Sequence, residues 1–167
     1  MNVHPYDSLP LSNGTTLVMT PCPGTKETTI SEALATLQQA GVTTVVTMNA
    51  DSELSSLGVA SLGDEVADKG MRWFQFPVAD DEEPEADFEA AWLEHKDALL
   101  ALFNGGNVIA VHCRGGTGRT GLMSAIMMLE SGYSWAEAKQ QIQSIRPRAL
   151  TLAPHLNYLK KQYSISE

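Results

Sequence analysis

The sequence predicts an α/β fold: one domain over residues 1–167, with a central, mostly parallel sheet of four to five strands and helices on both faces. Three observations predict it. Short β-forming segments alternate with segments of helical period through the first two-thirds of the chain, and helices alone complete it. A chain of 167 residues with 43% hydrophobic content suits a single core. Glycine or proline stops most of the segments.

TTLVMT at 15–20 is rich in β-formers and ends at Pro-Cys-Pro-Gly. The next segment, 29–40, places Ile30, Ala33, Leu34 and Leu37 on one helical face, with Thr28 or Thr29 as cap and Gly41 as stop. VTTVVTM at 42–48 reads as a buried strand, and 51–70 as one or two short helices closed by Gly70. MRWFQF at 71–76 alternates like a strand and runs into an acidic loop, PVADDEEPEAD. Phe88, Ala91, Trp92, His95, Leu99 and Leu102 mark an amphipathic helix over 87–103. A short buried strand follows at 107–111, then helices near 119–131, 134–145 (capped by Ser134) and 154–162. Trp73, Trp92 and Trp135 are expected in the core, and Arg146 and Arg148 at a helix cap or in solvent, with recognition of a second anionic group as the alternative.

The net charge of -9 disfavours nucleic-acid and membrane partners, because phosphate-rich surfaces require a basic face. The first residues have no basic head or apolar run of signal length, and no stretch reaches membrane-spanning length, so a soluble cytoplasmic protein is expected. The oligomeric state has no signature in the sequence. Cys22 and Cys113 are the only cysteines, which is no disulfide framework. Neither belongs to a Cys-x-x-Cys pair, the histidines lack ligand spacing, and no metal is expected. Cys22, in Thr-Pro-Cys-Pro-Gly, reads as a small turn residue or as a disulfide partner for an oxidised Cys113.

VIAVHCRGGTGRTG at 108–121 carries the chemistry. Gly116, Gly118 and Gly121 fit the spacing of a dinucleotide-binding turn. That turn needs a following strand and an acidic residue about twenty positions on. Here no strand follows and the corresponding residue is Gln141, so no nucleotide cofactor is expected. An ATP-type loop would need a lysine, and this turn has none. A phosphate cradle fits better. Glycines let the N–H groups of Arg114, Gly115, Gly116, Thr117, Gly118 and Arg119 converge on one point, and the helix beginning near Arg119 adds its positive end. The Arg119 guanidinium can grip two phosphate oxygens. The same donors favour the thiolate of Cys113, a nucleophile toward phosphorus. A lone cysteine at the end of an apolar strand is ordinarily inert, but the glycines, Arg119 and Thr120 follow it at fitting offsets. The Thr120 hydroxyl can hydrogen-bond the sulfur and help it leave, and His112 can order the loop through its ring.

His112, Cys113, Gly116, Arg119 and Thr120 match H-C-x-x-G-x-x-R-S/T without a gap, and the chain thereby resembles the cysteine-dependent protein tyrosine phosphatase superfamily. Its length is similar to that of the dual-specificity branch. Weaker likenesses to the kinase-associated group of that branch lie at Pro23-Gly24, Glu53-Leu54-Ser55, Pro77–Asp80 and Asn157-Tyr158-Leu159. Arg114 and Thr117 depart from that group, which has an aromatic residue and a leucine there, so its substrate choice does not transfer.

The resemblance implies a phosphoprotein substrate, a cysteinyl-phosphate intermediate, no cofactor, and an aspartic acid that protonates the leaving oxygen from the loop after a strand end. The Pro-Val-Ala-Asp likeness places that acid at Asp80, with Asp81 as the alternative. Glu82, Glu83 and Glu85 read as solvated acids ahead of a helix N-terminus. Two other functions remain on this reading: a phosphoinositide or RNA 5′-phosphate phosphatase, and a phosphoprotein-binding module without turnover. The module would be expected to have lost Cys113 or Arg119, and both are present.

Overall fold

The computed structural model describes residues 3–167 and contains five strands and seven helices among them. The strands are β1 (Asp7–Pro10), β2 (Thr16–Thr20), β3 (Thr44–Thr47), β4 (Arg72–Gln75) and β5 (Val108–His112). The helices are α1 (Ile30–Gln39), α2 (Asp51–Ser56), α3 (Leu62–Asp68), α4 (Ala86–Phe103), α5 (Gly118–Glu130), α6 (Trp135–Ile145) and α7 (Ala153–Tyr163). They form one sheet in the order β1-β2-β5-β3-β4, in which β1 runs antiparallel to β2 and all other neighbours are parallel. This is the α/β architecture expected, and β1 is the strand the sequence reading missed. Its residues Asp-Ser-Leu-Pro bury Leu9 alone, so the edge strand carries almost no hydrophobic pattern.

The parallel strands are buried on both faces, as crossover helices require. Leu17, Met19, Val46, Ile109 and Val111 face α4, α5, α6 and α7, while Val18, Val45 and Ala110 face the layer of α1 to α3. α5 is buried from Arg119 through Met128 and forms the axis of the larger layer. α1 and α6 both start in capping boxes, Thr29 with Glu32 and Ser134 with Glu137, which fixes their entry points.

Of the three tryptophans, only Trp92 is fully packed in the core. Trp73 and Trp135 are half-buried because each indole N–H reaches a polar partner, Thr47 and Glu167 respectively.

Candidate active site

The carboxyl ends of the four parallel strands meet at one end of the sheet. β2 leads to the turn holding Lys26, β3 to Glu53 on α2, β4 to Asp80, and central β5 to Cys113. In open parallel sheets this edge is where ligands bind. A cleft of about 760 Å³ opens there, lined by the buried Cys113 and by the exposed Lys26, Asp80, Asp81, Arg114 and Gly115.

The loop from Cys113 curls into the N-terminus of α5. Cys113 is 3% exposed, and its sulfur accepts hydrogen bonds from the Thr120 hydroxyl at 3.2 Å and the Gly116 N–H at 3.4 Å. Gly116 has φ +84°, and a Cβ there would stand 2.6 Å from the carbonyl carbon of Thr20. Only glycine satisfies both constraints, which explains this position of the motif. The loop is tied to neighbouring strands from outside. The Cys22 N–H donates to the Arg114 carbonyl at 3.0 Å. Arg146 Nε donates to the Gly116 carbonyl at 2.8 Å, its Nη2 to the Met19 carbonyl at 3.0 Å, and its Nη1 pairs with Asp7 at 2.6 Å. Arg146 is therefore a strap holding the loop against β2, not a free cation. Arg148 is exposed.

Arg119 is 1% exposed, and Glu53 orients it. Nη1 donates to Glu53 Oε1 at 2.6 Å and to the Val78 carbonyl at 2.9 Å, and Nη2 donates to Glu53 Oε2 at 2.9 Å. The buried Nε–H has no partner among the described residues. With the tip of the guanidinium clamped, the Nε–Nη2 edge remains to meet an anion with two parallel donors. The Arg119 hydrogen bonds hold the Glu53 carboxyl below its ordinary range. Burial works against the arginine's charge, but the Glu53 hydrogen bonds and the negative groups around it outweigh burial. Glu53 is a functional residue that no sequence motif marks. Its only sequence signal was a Glu-Leu-Ser likeness, because its partner lies 66 residues away.

His112 is fully buried with a directed chain of hydrogen bonds behind it. Its Nδ1 lies 3.0 Å from the Cys113 carbonyl, which only accepts, so Nδ1 carries the proton. Nε2 is then an acceptor for the Thr47 hydroxyl at 2.7 Å, and Thr47 in turn accepts from the Trp73 indole at 2.7 Å. The Trp73 ring lies flat against Gly63, where a Cβ would come within 2.5 Å of it. Burial pushes the His112 pKa down from 6.5 to about 4. As pH falls through that window the unfolded chain takes up a proton that the native imidazole refuses, so native stability declines. The loss approaches about 3 kcal/mol, the free-energy equivalent of the shift. A His112→Gln variant is expected to lose correspondingly less between neutral pH and pH 4, as read from urea midpoints of both proteins at each pH. Equal losses would show that His112 does not titrate in this way.

Asp80 and Asp81 occupy a turn closed by the Glu82 N–H to the Ala79 carbonyl at 3.0 Å, with Asp81 in the left-handed region at φ +63°. Asp80 Oδ1 lies 3.4 Å from Arg119 Nη2, and the side chain is 56% exposed to the cleft. Asp81 also lines the cleft, but Asp80 is the one with an ion-pair contact to Arg119. Glu83 pairs with Lys161 on α7, so it is not simply solvated. Cys22 is a free thiol with no exposed surface, and burial pushes its pKa up to about 12, which keeps it neutral near pH 7.

A buried sulfur receiving hydrogen bonds at the mouth of a glycine loop, beside an oriented arginine and after the central parallel strand, is an arrangement suited to a cysteine nucleophile facing an oxyanion. A family model described as PTP-SAK, Swiss Army Knife protein, DSP-PTPase phosphatase domain, matches residues 17–161, and the chain belongs to this family. The chain is 28% identical over 94 residues to a probable protein tyrosine phosphatase type IVA B from Dictyostelium discoideum; this match spans 56% of the chain and 57% of that relative, little more than half of each. A crystal structure of kinase-associated phosphatase, with its catalytic-site cysteine replaced by serine, superposes with a TM-score of 0.83 at 21% identity, covering 100% of this chain and 99% of that one. PTPMT1 in complex with PI(5)P gives a TM-score of 0.65 at 22% identity over 87% and 88% of the two chains. The structural likenesses show the fold.

Proposed function

We propose that the protein hydrolyses phosphoproteins, acting on phosphotyrosine and also on phosphoserine and phosphothreonine, through a cysteinyl-phosphate on Cys113. The observation that carries this reading is the buried sulfur in the cleft, with Thr120 and Gly116 donating to it and the free edge of Arg119 beside it. In the first step the Cys113 thiolate forms an S–P bond as the P–O bond to the leaving group breaks, and the carboxyl of Asp80 gives its proton to that oxygen. The loop N–H groups from Arg114 to Arg119 and the Arg119 guanidinium hold the equatorial oxygens, more tightly in the transition state than before it. In the second step water attacks phosphorus, Asp80 takes its proton, and the S–P bond breaks. The Thr120 hydroxyl stabilises the departing thiolate, and inorganic phosphate leaves.

Two features support a protein substrate of broad ester class. Among the described residues no aromatic side chain lines the cleft, so no slot selects a phenyl ring over an aliphatic carbon. Lys26 and Arg114 line the cleft without hydrogen-bond or ion-pair partners for their side chains among the described residues, in a chain whose acids outnumber its bases 20 to 11. They suit a peptide with an acidic residue beside the phosphorylated one. The same cations favour a second reading, a phosphoinositide headgroup, which the PTPMT1 complex also brings to mind. Asp80 and Asp81 in the same cleft and the net charge of -9 oppose docking at an anionic membrane.

The test is hydrolysis of phenyl phosphate in EDTA by the wild type and by Asp80→Ala. Wild-type turnover with vanadate inhibition is expected, and the variant should fall by about 10² in kcat with a flattened basic limb of the pH–rate curve. If Asp81→Ala does this and Asp80→Ala does not, the acid is Asp81. Release of phosphate from acidic phosphopeptides rather than from phosphoinositide vesicles distinguishes the two substrate readings.

A further inference from the structure

Three residues on one face of α7 meet the segment that carries Asp80. Lys161 Nζ reaches Glu83 Oε1 at 2.9 Å. The Tyr158 hydroxyl donates to Glu89 Oε1 at 2.8 Å, and its ring meets Phe88 edge-on at 5.9 Å. One turn before Tyr158, His155 is 1% exposed, and among the described residues neither of its ring nitrogens has a hydrogen-bond partner of good geometry. Its Cε1 lies 3.7 Å from the position a Cβ would take on Gly118, the first residue of α5. Asp80, Asp81 and the Glu82 backbone face it from the acidic turn, and Arg119 faces it from α5.

An imidazole this buried without a hydrogen bond of good geometry is costly, and such a group calls for an explanation, a role in catalysis among them. The turn above it is closed by one backbone hydrogen bond and carries a half-exposed Asp80. Hydrogen bonds of catalytic segments are often long in the free enzyme and tighten when substrate is bound. The Glu82 backbone is close enough to favour a proton on His155, yet no bond of ordinary geometry is complete.

We propose that His155 is a positioning residue for the acid: with a phosphoryl group in the cleft, its ring N–H bonds the Glu82 carbonyl and fixes the turn that aims Asp80 at the leaving oxygen. α7 is then the frame on which the acidic turn rests, with Tyr158 and Lys161 anchoring the flanking residues. Burial lowers the His155 pKa, and Arg119 adds to this while Asp81, Glu82 and Asp80 oppose it, so the ring acts as a neutral donor.

The inference rests on Asp80 as the acid, and leaving-group dependence tests it. His155→Leu is expected to lower kcat about tenfold on phenyl phosphate, whose leaving oxygen needs a proton, and less than twofold on 2,4-dinitrophenyl phosphate, whose leaving oxygen does not. In an Asp80→Ala background the same change should cost nothing further on phenyl phosphate. His155→Gln, which keeps an N–H at similar reach, should restore wild-type values. Equal losses on both substrates, or additive losses with Asp80→Ala, would reduce His155 to a packing residue. Should the leucine variant not fold, His155→Asn replaces it: the shorter amide loses the reach and should show the same selective loss, and parity with His155→Gln overturns the proposal. If Asp80→Ala itself shows no leaving-group dependence, the acid assignment has failed. If Asp80→Ala shows it and His155→Leu does not, only the role of His155 has failed.

Discussion

Cys113→Ser is expected to lose turnover on the order of 10⁴-fold or more while still binding vanadate or tungstate. A serine hydroxyl at this position remains protonated, because the donors that suit a thiolate are too weak to ionise an alcohol. The anion cradle itself is main chain and arginine, and those groups are untouched. The Thr120 hydroxyl and Gly116 N–H that reach the sulfur at 3.2 and 3.4 Å can still serve the new oxygen. Steady-state rates and calorimetric titration of the oxyanion check both halves. Retained turnover would remove Cys113 as the nucleophile, and lost binding would mean that the sulfur, rather than the loop, makes the anion site.

Arg119→Lys should cost about 10³ in kcat, the upper end of what loss of one preorganised donor ordinarily costs. Arg119 makes two bonds to Glu53 and one to the Val78 carbonyl, and it keeps a free edge for the phosphate. A lysine ammonium is a single point and cannot hold Glu53 and two phosphate oxygens in fixed geometry. It also leaves the Glu53 carboxylate incompletely paired beside the cleft. The loss is expected in kcat rather than in KM, since the bidentate grip matters most where charge spreads over the equatorial oxygens. A change confined to KM would show that Arg119 binds substrate and transition state equally.

The loop proposed to cradle phosphate was legible as a motif because its parts are contiguous. Residues 112–120 fold over a single strand end and helix start, so a short string fixes which atoms surround the sulfur. The helix caps at Thr29 and Ser134 were legible for the same reason, each being complete within four residues. Arg146 was not: its partners Gly116, Met19 and Asp7 come from three separate segments. Strand β1 escaped because an edge strand with one buried side chain carries no alternation. Trp73 looked like core because aromatic residues in strands usually are, and its reach to Thr47 depends on the bare surface of Gly63.

What the sequence determined by itself was the fold class and the family motif at 112–120, since local periodicity and a contiguous motif are written in neighbouring residues. The strand order β1-β2-β5-β3-β4 was decided only in three dimensions, and that order brings Glu53 to Arg119, Asp80 to the cleft and Thr47 to His112. Thr47 ends β3 and Glu53 follows it, Asp80 follows β4, His112 ends β5 and Arg119 follows it, and α7 closes on the acidic turn from the far end of the chain. Pairings across such separations arise from packing the two faces of one sheet, and no local pattern encodes them.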